Sequence, residues 1–197
     1  MDFRALRIEG AWVVTPRQFP DPRGMFAEGF RADKLAEHIG HVLQVKQTNI
    51  SVSSTGAVRG IHYAAVPPSQ AKYVTALHGR FLDVVIDIRV GSPTFGQWDA
   101  VELDTVTRQA VYLSEGLGHC LVCLEGGTAM YLCSEVYNPA IERAITPLDP
   151  EVALPIPAGL VPVLSEKDTT APTLAQAREA GLLPDYQACL AFRRGLA

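Results

Sequence analysis

Four side chains, far apart in the chain, could together remove a proton from carbon and return it. They are His62, Tyr131, Asp168 and Lys72. A neutral imidazole titrates near physiological pH and can act as a general base, and a carboxylate beside it fixes its tautomer. A phenol can donate a proton, and an ammonium group stabilises an oxyanion. This set indicates proton abstraction next to a ketone, followed by reprotonation on the other face.

The spacing of Arg59 and His62 raises a geometric question. Residues three apart in a regular strand point to opposite faces of the sheet. Both side chains can reach one cavity only if the strand bulges or twists, and Gly60 between them is a natural place for that distortion. The alternative is that Arg59 is a surface charge and that Gly60 merely ends a turn.

A second histidine, His119, precedes Tyr131, and the pair Gly126-Gly127 lies between them. The pattern predicts two strands joined by a turn. A two-residue turn pairs Glu125 with Thr128 and places His119 and Tyr131 on opposite faces, whereas a turn of three residues places them on the same face. If both serve one cavity, the turn has three residues or a bulge intervenes. Otherwise Tyr131 is a core tyrosine whose hydroxyl is bonded locally.

Two carboxylates compete as partners of the histidines. Asp168 lies five residues before Thr173, which already opens a capping box, so Asp168 is free to orient a histidine. Asp83 faces away from the apolar side of its own strand and could serve either His62 or His119.

Metal and thiol chemistry are the rival interpretations. His62 and His119, without a third nitrogen or a placed carboxylate, make a poor transition-metal site, and no metal or other cofactor is expected. Cys120 and Cys123 form a single C-x-x-C in an apolar segment. We interpret them as small core thiols rather than as a redox or zinc motif.

The composition of the chain is that of a globular protein. Its 197 residues are 48% hydrophobic, which is enough for a full core. The net charge of −4 argues against nucleic-acid binding. Neither a signal peptide nor an apolar run of membrane-spanning length is recognisable, so we expect a cytoplasmic protein that does not bind membranes.

Short strand-like segments dominate the chain and predict an all-β fold. Their spacing favours an antiparallel jelly-roll barrel with a few short helices, mainly C-terminal. We expect one domain over 1–197, with a jelly-roll core at about 11–137 and a C-terminal appendage at about 147–197. The predicted strands are 43–52, 57–63, 72–77, 82–88, 98–103, 109–113, 118–124 and 128–137.

Three helices are expected. The first covers 31–39, because Leu35 and Ile39 are four residues apart and Gly40 provides a stop. The second begins at the Thr173 capping box and ends near residue 181. The third runs from a cap at Asp185 to residue 192.

An ordered series of motifs, covering nearly all of the chain, resembles the dTDP-4-dehydrorhamnose 3,5-epimerases. One motif alone would be weak evidence, whereas their common order is strong. The matching segments are DPRGMF at 21–26, QTN at 47–49, VRGIHY at 58–63, PPSQAK at 67–72, VID at 85–87, RVGSPTFG at 89–96, EGLGH at 115–119, YLC at 131–133 and LSEKD at 164–168.

The resemblance implies a cupin-like jelly-roll homodimer in which an N-terminal strand contributes to the partner's site. It implies that His62, held by Asp168, accepts a proton and that Tyr131 donates one. It also implies a nucleotide contact at Phe26 and a thymine-stacking ring at Tyr137. The matching substrate-binding positions are Arg23, Phe26, Glu28, Gln47, Asn49, Arg59, Lys72, His119, Tyr137, Glu142 and Lys167.

One departure from the family pattern is visible beside His119. Cys120-Leu121 follows it where the family usually has a glycine and an aromatic residue. This difference bears on the shape of the site near His119.

The implied substrate is a dTDP-linked 4-keto-6-deoxyhexose. Its ketone acidifies the hydrogens on C3 and C5, and Lys72 is our choice to stabilise the enolate, with Arg59 on phosphate. Three hypotheses follow: a 3,5-epimerase, an epimerase of one centre in a specialised deoxysugar pathway, and a metal-binding or non-catalytic cupin that binds a sugar nucleotide. The motifs do not separate the first two.

Overall fold

A computed structural model describes residues 1–197 as a sheet of nine antiparallel strands with a separate two-stranded hairpin. The antiparallel jelly-roll prediction is confirmed. The strands are β1 Asp2–Ala5, β2 Ala11–Thr15, β3 Gln18–Asp21, β4 Gly24–Ala27, β5 Gln47–Ser53, β6 Val58–Ala64, β7 Lys72–Ile86, β8 Trp98–Asp104, β9 Ala110–Leu113, β10 Gly118–Cys133 and β11 Glu142–Ala144.

Two long central strands, β7 and β10, pair along their whole length and create two layers. The first half of β7 pairs with β9 and its second half with β8. Strand β10 pairs with β6 through its first half and with β5 through its second half. Each long strand therefore passes from one layer to the other, and the space between the layers is bounded by both.

Residues 125–128 do not form the predicted turn, so this prediction is wrong. Neither a two-residue nor a three-residue hairpin forms, because β10 continues through the glycine pair with three register irregularities against β7. A Cβ on Gly127 would lie 2.3 Å from the His78 carbonyl oxygen, and one on Gly79 would lie 2.5 Å from that of Gly126. These glycines allow the two backbones to approach closely where both strands bend. The predicted strands 72–77 and 82–88 are likewise halves of β7.

The four helices are α1 Ala32–Ile39, α2 Glu166–Thr169, α3 Leu174–Glu179 and α4 Tyr186–Arg194. Three of them confirm the prediction. Gly40 ends α1 in the left-handed conformation with φ of 84°, Thr173 forms the capping box of α3, and Asp185 caps α4. The short helix α2 is not apparent from periodicity, because four residues carry no repeat.

Alternate side chains of the second half of β7 and the first half of β10 enter two different cores. Phe81, Val85 and Leu121 belong to the cluster inside the jelly roll, whereas the neighbouring Ile86 and Cys120 face the opposite side. That outer side is covered by apolar residues of the C-terminal region, which therefore packs against the sheet. None of the helices has the length and apolar character needed to span a membrane.

Candidate active site

A cavity of about 410 Å³ opens between the two layers and is lined by the side chains that were predicted to move the proton. All four candidate catalytic residues line it, together with three of the predicted binding residues. The lining residues are Ser51, Val52, Ser53, Ser54, Ala57, Val58, Arg59, His62, Lys72, His119, Leu121, Tyr131, Val163, Leu164, Ser165, Lys167 and Asp168.

The expected distortion at Gly60 is present. On β10, His119 is opposite His62 and Leu121 is opposite Arg59, so two residues of β6 face one residue of β10. This bulge shifts the alternation by one position, and both Arg59 and His62 line the cavity. Gly60 has φ of 133°, and a Cβ there would lie 2.4 Å from the His119 carbonyl oxygen, so glycine is required.

His62 forms a close pair with Asp168. Its Nε2 lies 2.6 Å from Asp168 Oδ1, and Asp168 is only 2% exposed. Burial alone would raise the pKa of Asp168, but hydrogen bonds from His62 and Ser165, the charge of His62 and the Gly60 amide hold it below the ordinary aspartate value. The carboxylate is therefore an acceptor, so His62 Nε2 carries the hydrogen and Nδ1 is the nitrogen left free.

A second pair, His119 and Asp83, lies beside the first. His119 Nε2 is 2.8 Å from Asp83 Oδ2, and the Asp83 side chain is fully buried. The two aspartates are thus divided between the two histidines: Asp83 serves His119, and Asp168 serves His62. Asp83 Oδ1 has no hydrogen-bond partner among the protein side chains and backbone.

Tyr131 reaches the cavity from the other layer. It lies on the second half of β10, opposite Asn49 on one side and Val74 on the other. Burial raises the pKa of its hydroxyl, and the acidic groups of Cys133 and Glu142 add to that effect, while Arg59 lowers it in part. The phenol is therefore held in its protonated form at neutral pH, as a proton donor requires. The irregularities at the bend of β10 allow Tyr131 and His119 to share the cavity.

Three cations line the cavity. Lys72 is 9% exposed and lies at the start of β7, in the layer that carries Tyr131. Arg59 is anchored by Nε to Ser53 Oγ at 3.0 Å and by a terminal nitrogen to the Val52 carbonyl at 3.1 Å. Lys167 stands on α2 next to Asp168. The single lining carboxylate, Asp168, is committed to His62, so the cavity favours an anion.

Four further predicted binding residues lie just beyond the cavity lining, near its Lys72 and Tyr131 end. Gln47 and Asn49 share the cavity face of β5 with Ser51, and Gln47 Nε2 donates to Asn49 Oδ1 at 2.8 Å. The Tyr137 backbone N–H donates to Gln47 Oε1, while its ring is 61% exposed. Glu142 on β11 is close enough to Tyr131 to raise the pKa of its phenol.

Arg23, Phe26 and Glu28 do not reach this cavity. Arg23 and Phe26 belong to the β3–β4 hairpin, where Arg23 pairs with Asp21 and the Phe26 side chain is 64% exposed. Glu28 follows that hairpin and pairs with Arg31. No contact in the protomer brings these three side chains to the other site residues.

Four serines that line the cavity were not predicted as site residues from the sequence: Ser51, Ser53, Ser54 and Ser165. A signal for the first two existed in β5, where Gln47, Asn49, Ser51 and Ser53 alternate with Thr48, Ile50 and Val52. The polar face of this strand points into the cavity, while Ile50 is exposed on the outside. Ser165 carried no comparable signal, because its role depends on the fold around α2.

The cysteines occupy core positions, as interpreted. All four thiols are free and buried, and Cys120 and Cys123 point into different clusters. Burial raises the pKa of both thiols. No group of three or more His, Cys, Asp or Glu side chains is arranged to hold a metal ion.

Cys120 and Leu121, the two residues that depart from the family pattern, point in different directions. Cys120 turns away from the cavity into the outer core, whereas Leu121 lines the cavity wall. The Leu121 side chain therefore shapes the space next to His119.

These features define a jelly-roll enzyme of the cupin-like class, with acid–base groups contributed by both layers of the barrel and cations placed for an anionic ligand. The chain belongs to the dTDP-4-dehydrorhamnose 3,5-epimerase family, whose model matches residues 5–176. It is therefore an isomerase of the type that acts on sugar nucleotides.

Known relatives are similar over nearly the whole chain. A dTDP-4-dehydrorhamnose 3-epimerase of Streptomyces niveus is 53% identical, and the match covers 97% of this chain and 92% of the relative. The structure of the rmlC epimerase of Mycobacterium tuberculosis superposes with a TM-score of 0.97 at 46% identity, covering 100% of both chains. ChmJ, a 3′-monoepimerase from Streptomyces bikiniensis solved in complex with dTDP-quinovose, gives a TM-score of 0.95 at 46% identity, covering 97% of each chain.

Proposed function

We propose that the protein inverts C3 and C5 of dTDP-4-dehydro-6-deoxy-D-glucose by removing and returning protons next to the C4 ketone, for deoxysugar biosynthesis. The observation that carries the proposal is the pairing of His62 with Asp168 in one layer and the placement of Tyr131 in the other layer of a single cavity. A base and an acid that enter from different layers suit removal on one face and return on the other.

His62 is the base in this proposal. Because Asp168 takes the hydrogen bond from Nε2, the lone pair on Nδ1 is available to accept the substrate proton. As the imidazole becomes charged, the adjacent carboxylate stabilises it. The base is regenerated when the proton exchanges with solvent.

Lys72 stabilises the charge that develops on the ketone oxygen. Proton removal from C3 or C5 converts the C4 ketone into an enolate, and a fixed ammonium group in a partly dehydrated cavity lowers the energy of that anion. Lys72 forms no ion pair within the protomer, so its charge is available to the substrate. His119, held by Asp83 through its Nε2–H, offers Nδ1 as an acceptor for a sugar hydroxyl.

Tyr131 supplies the incoming proton, and its phenolate regains a proton from solvent. Its hydroxyl is held protonated by burial and by neighbouring acidic groups, and it comes from the layer opposite His62. Reprotonation from that side inverts the carbon. The sum of the two steps is redox-neutral, and the substrate's own ketone provides the acidity, so the reaction requires no hydride carrier.

The nucleotide end of the substrate is bound by cations and by an exposed ring. Arg59 and Lys167 supply charge-assisted bonds for the diphosphate. The Tyr137 ring is accessible for stacking on thymine, and Gln47, Asn49 and Glu142 complete the polar surroundings. The dTDP-quinovose bound to the similar ChmJ supports a dTDP-linked sugar as the ligand.

A single-centre epimerase is the second candidate, favoured by the 53% identical relative from Streptomyces niveus, which is a 3-epimerase. The residues that remove and return the proton are the same in both cases. The difference lies in whether the ring can turn to present the second carbon, and Leu121 is part of the wall that limits that movement.

We also propose that the active form is a cytoplasmic homodimer of single-domain subunits. Arg23, Phe26 and Glu28 match binding positions, yet they project from their own subunit, and the β3–β4 hairpin exposes Phe19, Met25 and Phe26. These exposed apolar side chains suit burial against a second copy. In that dimer the hairpin delivers its binding residues to the partner's cavity.

The function is tested by incubating the purified protein with dTDP-4-dehydro-6-deoxyglucose in heavy water and following the sugar by NMR. Deuterium at both C3 and C5 supports the 3,5-epimerase, and deuterium at C3 alone supports the single-centre enzyme. Incorporation no faster than in a protein-free control would contradict both. The dimer is tested with mixed dimers of Arg23→Ala and His62→Ala subunits, which regain one intact site only if the hairpin crosses.

A further inference from the structure

Ser165 contacts Asp168 in two distinct ways. Its Oγ accepts a hydrogen bond from the Asp168 backbone N–H at 3.2 Å, which caps α2. The same hydroxyl donates its proton to Asp168 Oδ2 at 2.8 Å. The other carboxylate oxygen, Oδ1, accepts the bond from His62 Nε2. The two oxygens of one buried carboxylate thus bond to the serine and to the histidine, and the Gly60 amide faces the same group.

This division controls the orientation of the carboxylate. The terminal torsion of an aspartate is broad, so one bonded oxygen does not by itself fix the plane of the group. Holding Oδ2 at Ser165 keeps Oδ1 directed at His62. Asp168 is 2% exposed, so water does not readily replace a lost partner, and leaving an oxygen of a buried carboxylate unpaired is costly.

The tautomer of His62 depends on this orientation. While Asp168 Oδ1 accepts from Nε2, the neutral imidazole carries its hydrogen there and Nδ1 stays unprotonated. If the carboxylate rotates away, the two neutral tautomers become more nearly equal in energy. A fraction of the molecules then has a protonated Nδ1 and cannot act as a base.

We propose that Ser165 is a positioning residue for the base, whose hydroxyl holds Asp168 so that His62 keeps its Nε2–H tautomer. Its effect on the reaction rate rests on the proposed function. Its effect on the tautomer does not, because the three side chains are in contact without substrate.

Substitutions at Ser165 can separate the hydroxyl donor from the helix cap. Ser165→Gly has no hydroxyl to donate to the Asp168 carboxylate but keeps a residue type that helix N-caps favour. Ser165→Ala loses both contacts, and Ser165→Thr retains both. Thr173→Ala is the matched control, because it removes the equivalent cap of α3 outside the cavity lining.

The experiment measures kcat and KM for epimerisation and the His62 tautomer by nitrogen-15 NMR of histidine-labelled protein. For Ser165→Ala and Ser165→Gly we expect kcat to fall roughly tenfold, because the charged imidazolium loses an aligned carboxylate in addition to the single tautomer of the neutral ring. KM stays close to the wild-type value and the Nδ1–H tautomer appears. Ser165→Thr restores kcat and the single Nε2–H tautomer, and Thr173→Ala resembles the wild type in both.

Two outcomes would overturn the proposal. Wild-type kcat and tautomer in Ser165→Ala would show that Ser165 does not position the base. A defect in Ser165→Ala that is absent in Ser165→Gly would show that Ser165 is only a helix cap. If the wild-type protein does not epimerise the sugar, the proposed function fails, and the tautomer in the variants still decides the role of Ser165.

Discussion

His62 and His119 lie directly opposite each other on neighbouring antiparallel strands, and each is bonded through Nε2 to a different buried aspartate. The two pairs face one cavity but come from different parts of the fold, since Asp168 stands on a C-terminal helix and Asp83 on a central strand. In both rings, therefore, Nδ1 is not bonded to the aspartate. The arrangement gives two imidazoles of similar local geometry, for which we expect different roles.

Steady-state kinetics can distinguish the roles of the two histidines. We expect His119→Ala to raise KM about tenfold or more with a smaller fall in kcat, because His119 holds the sugar rather than accepting its proton. The measurement is a steady-state comparison of His119→Ala and His62→Ala with the same substrate. If His119→Ala abolished solvent exchange as completely as His62→Ala, His119 would be part of the proton transfer itself.

Tyr131→Phe tests the proton donor. Removing the hydroxyl should lower the rate of inversion by about 100-fold or more while the fold is retained, because general acid catalysis contributes on that scale. Since burial raises the pKa of Tyr131 above its ordinary value of about 10, the phenol loses its proton only at higher pH. The alkaline decline of kcat due to Tyr131 should therefore lie above pH 10. A decline near neutral pH that disappears in Tyr131→Phe would contradict the donor assignment.

Lys72 and Arg59 should differ in what their removal changes. Lys72→Met is expected to lower kcat about 100- to 1,000-fold, the usual cost of losing one donor to a developing oxyanion. Arg59→Met is expected to act mainly on KM, because it binds the diphosphate in ground state and transition state alike. Both substitutions remove one charge and keep a long apolar stem, so each serves as the control for the other.

A buried ion pair outside the cavity contributes to the pH dependence of the stability of the fold. Asp87 and Arg89 are both fully buried, with Oδ2 and a guanidinium nitrogen 2.7 Å apart. Burial alone would raise the pKa of Asp87, but Arg89, Ser92 and Thr94 hold it below the ordinary value of 3.8. A lowered pKa in the folded state stabilises the protein above the unfolded-state pKa, and this contribution is lost as the pH falls through the folded-state pKa.

Asp87→Asn leaves the Arg89 charge buried without its counter-ion. We expect a loss of about 3–5 kcal/mol in the free energy of unfolding at pH 7, measured by urea denaturation. The difference between wild type and variant should begin to shrink as the pH falls below about 3.8, where Asp87 of the unfolded chain binds a proton, and should be smallest below the lowered pKa of Asp87 in the folded protein. A difference that is constant between pH 7 and pH 2 would show that the pair does not behave in this way.

Local signals in the sequence were sufficient for most elements of the fold. The caps at Gly40, Thr173 and Asp185 are determined by neighbouring residues, so the helices they bound were predicted. The distortion at Gly60 was predicted as well, because Arg59 and His62 cannot otherwise face one cavity. These features depend only on spacing along one strand or helix.

Features that depend on distant residues were not predictable in the same way. Gly126-Gly127 resembles a turn locally, but its close contact with Gly79 makes it the bend of a long strand. Helix α2 and the role of Ser165 likewise depend on where the C-terminal region meets β6. The choice between Asp83 and Asp168 as the partner of His62 was left open by the sequence, and the three-dimensional contacts decide it.

The central claim is that His62 removes the proton next to the ketone. The most direct test is the rate of deuterium uptake at C3 and C5 of dTDP-4-dehydro-6-deoxyglucose in heavy water, measured by NMR for wild type and for His62→Ala. We predict rapid uptake with the wild type and uptake no faster than in the protein-free control with His62→Ala, while circular dichroism shows an intact fold. Uptake by His62→Ala at the wild-type rate would contradict the account.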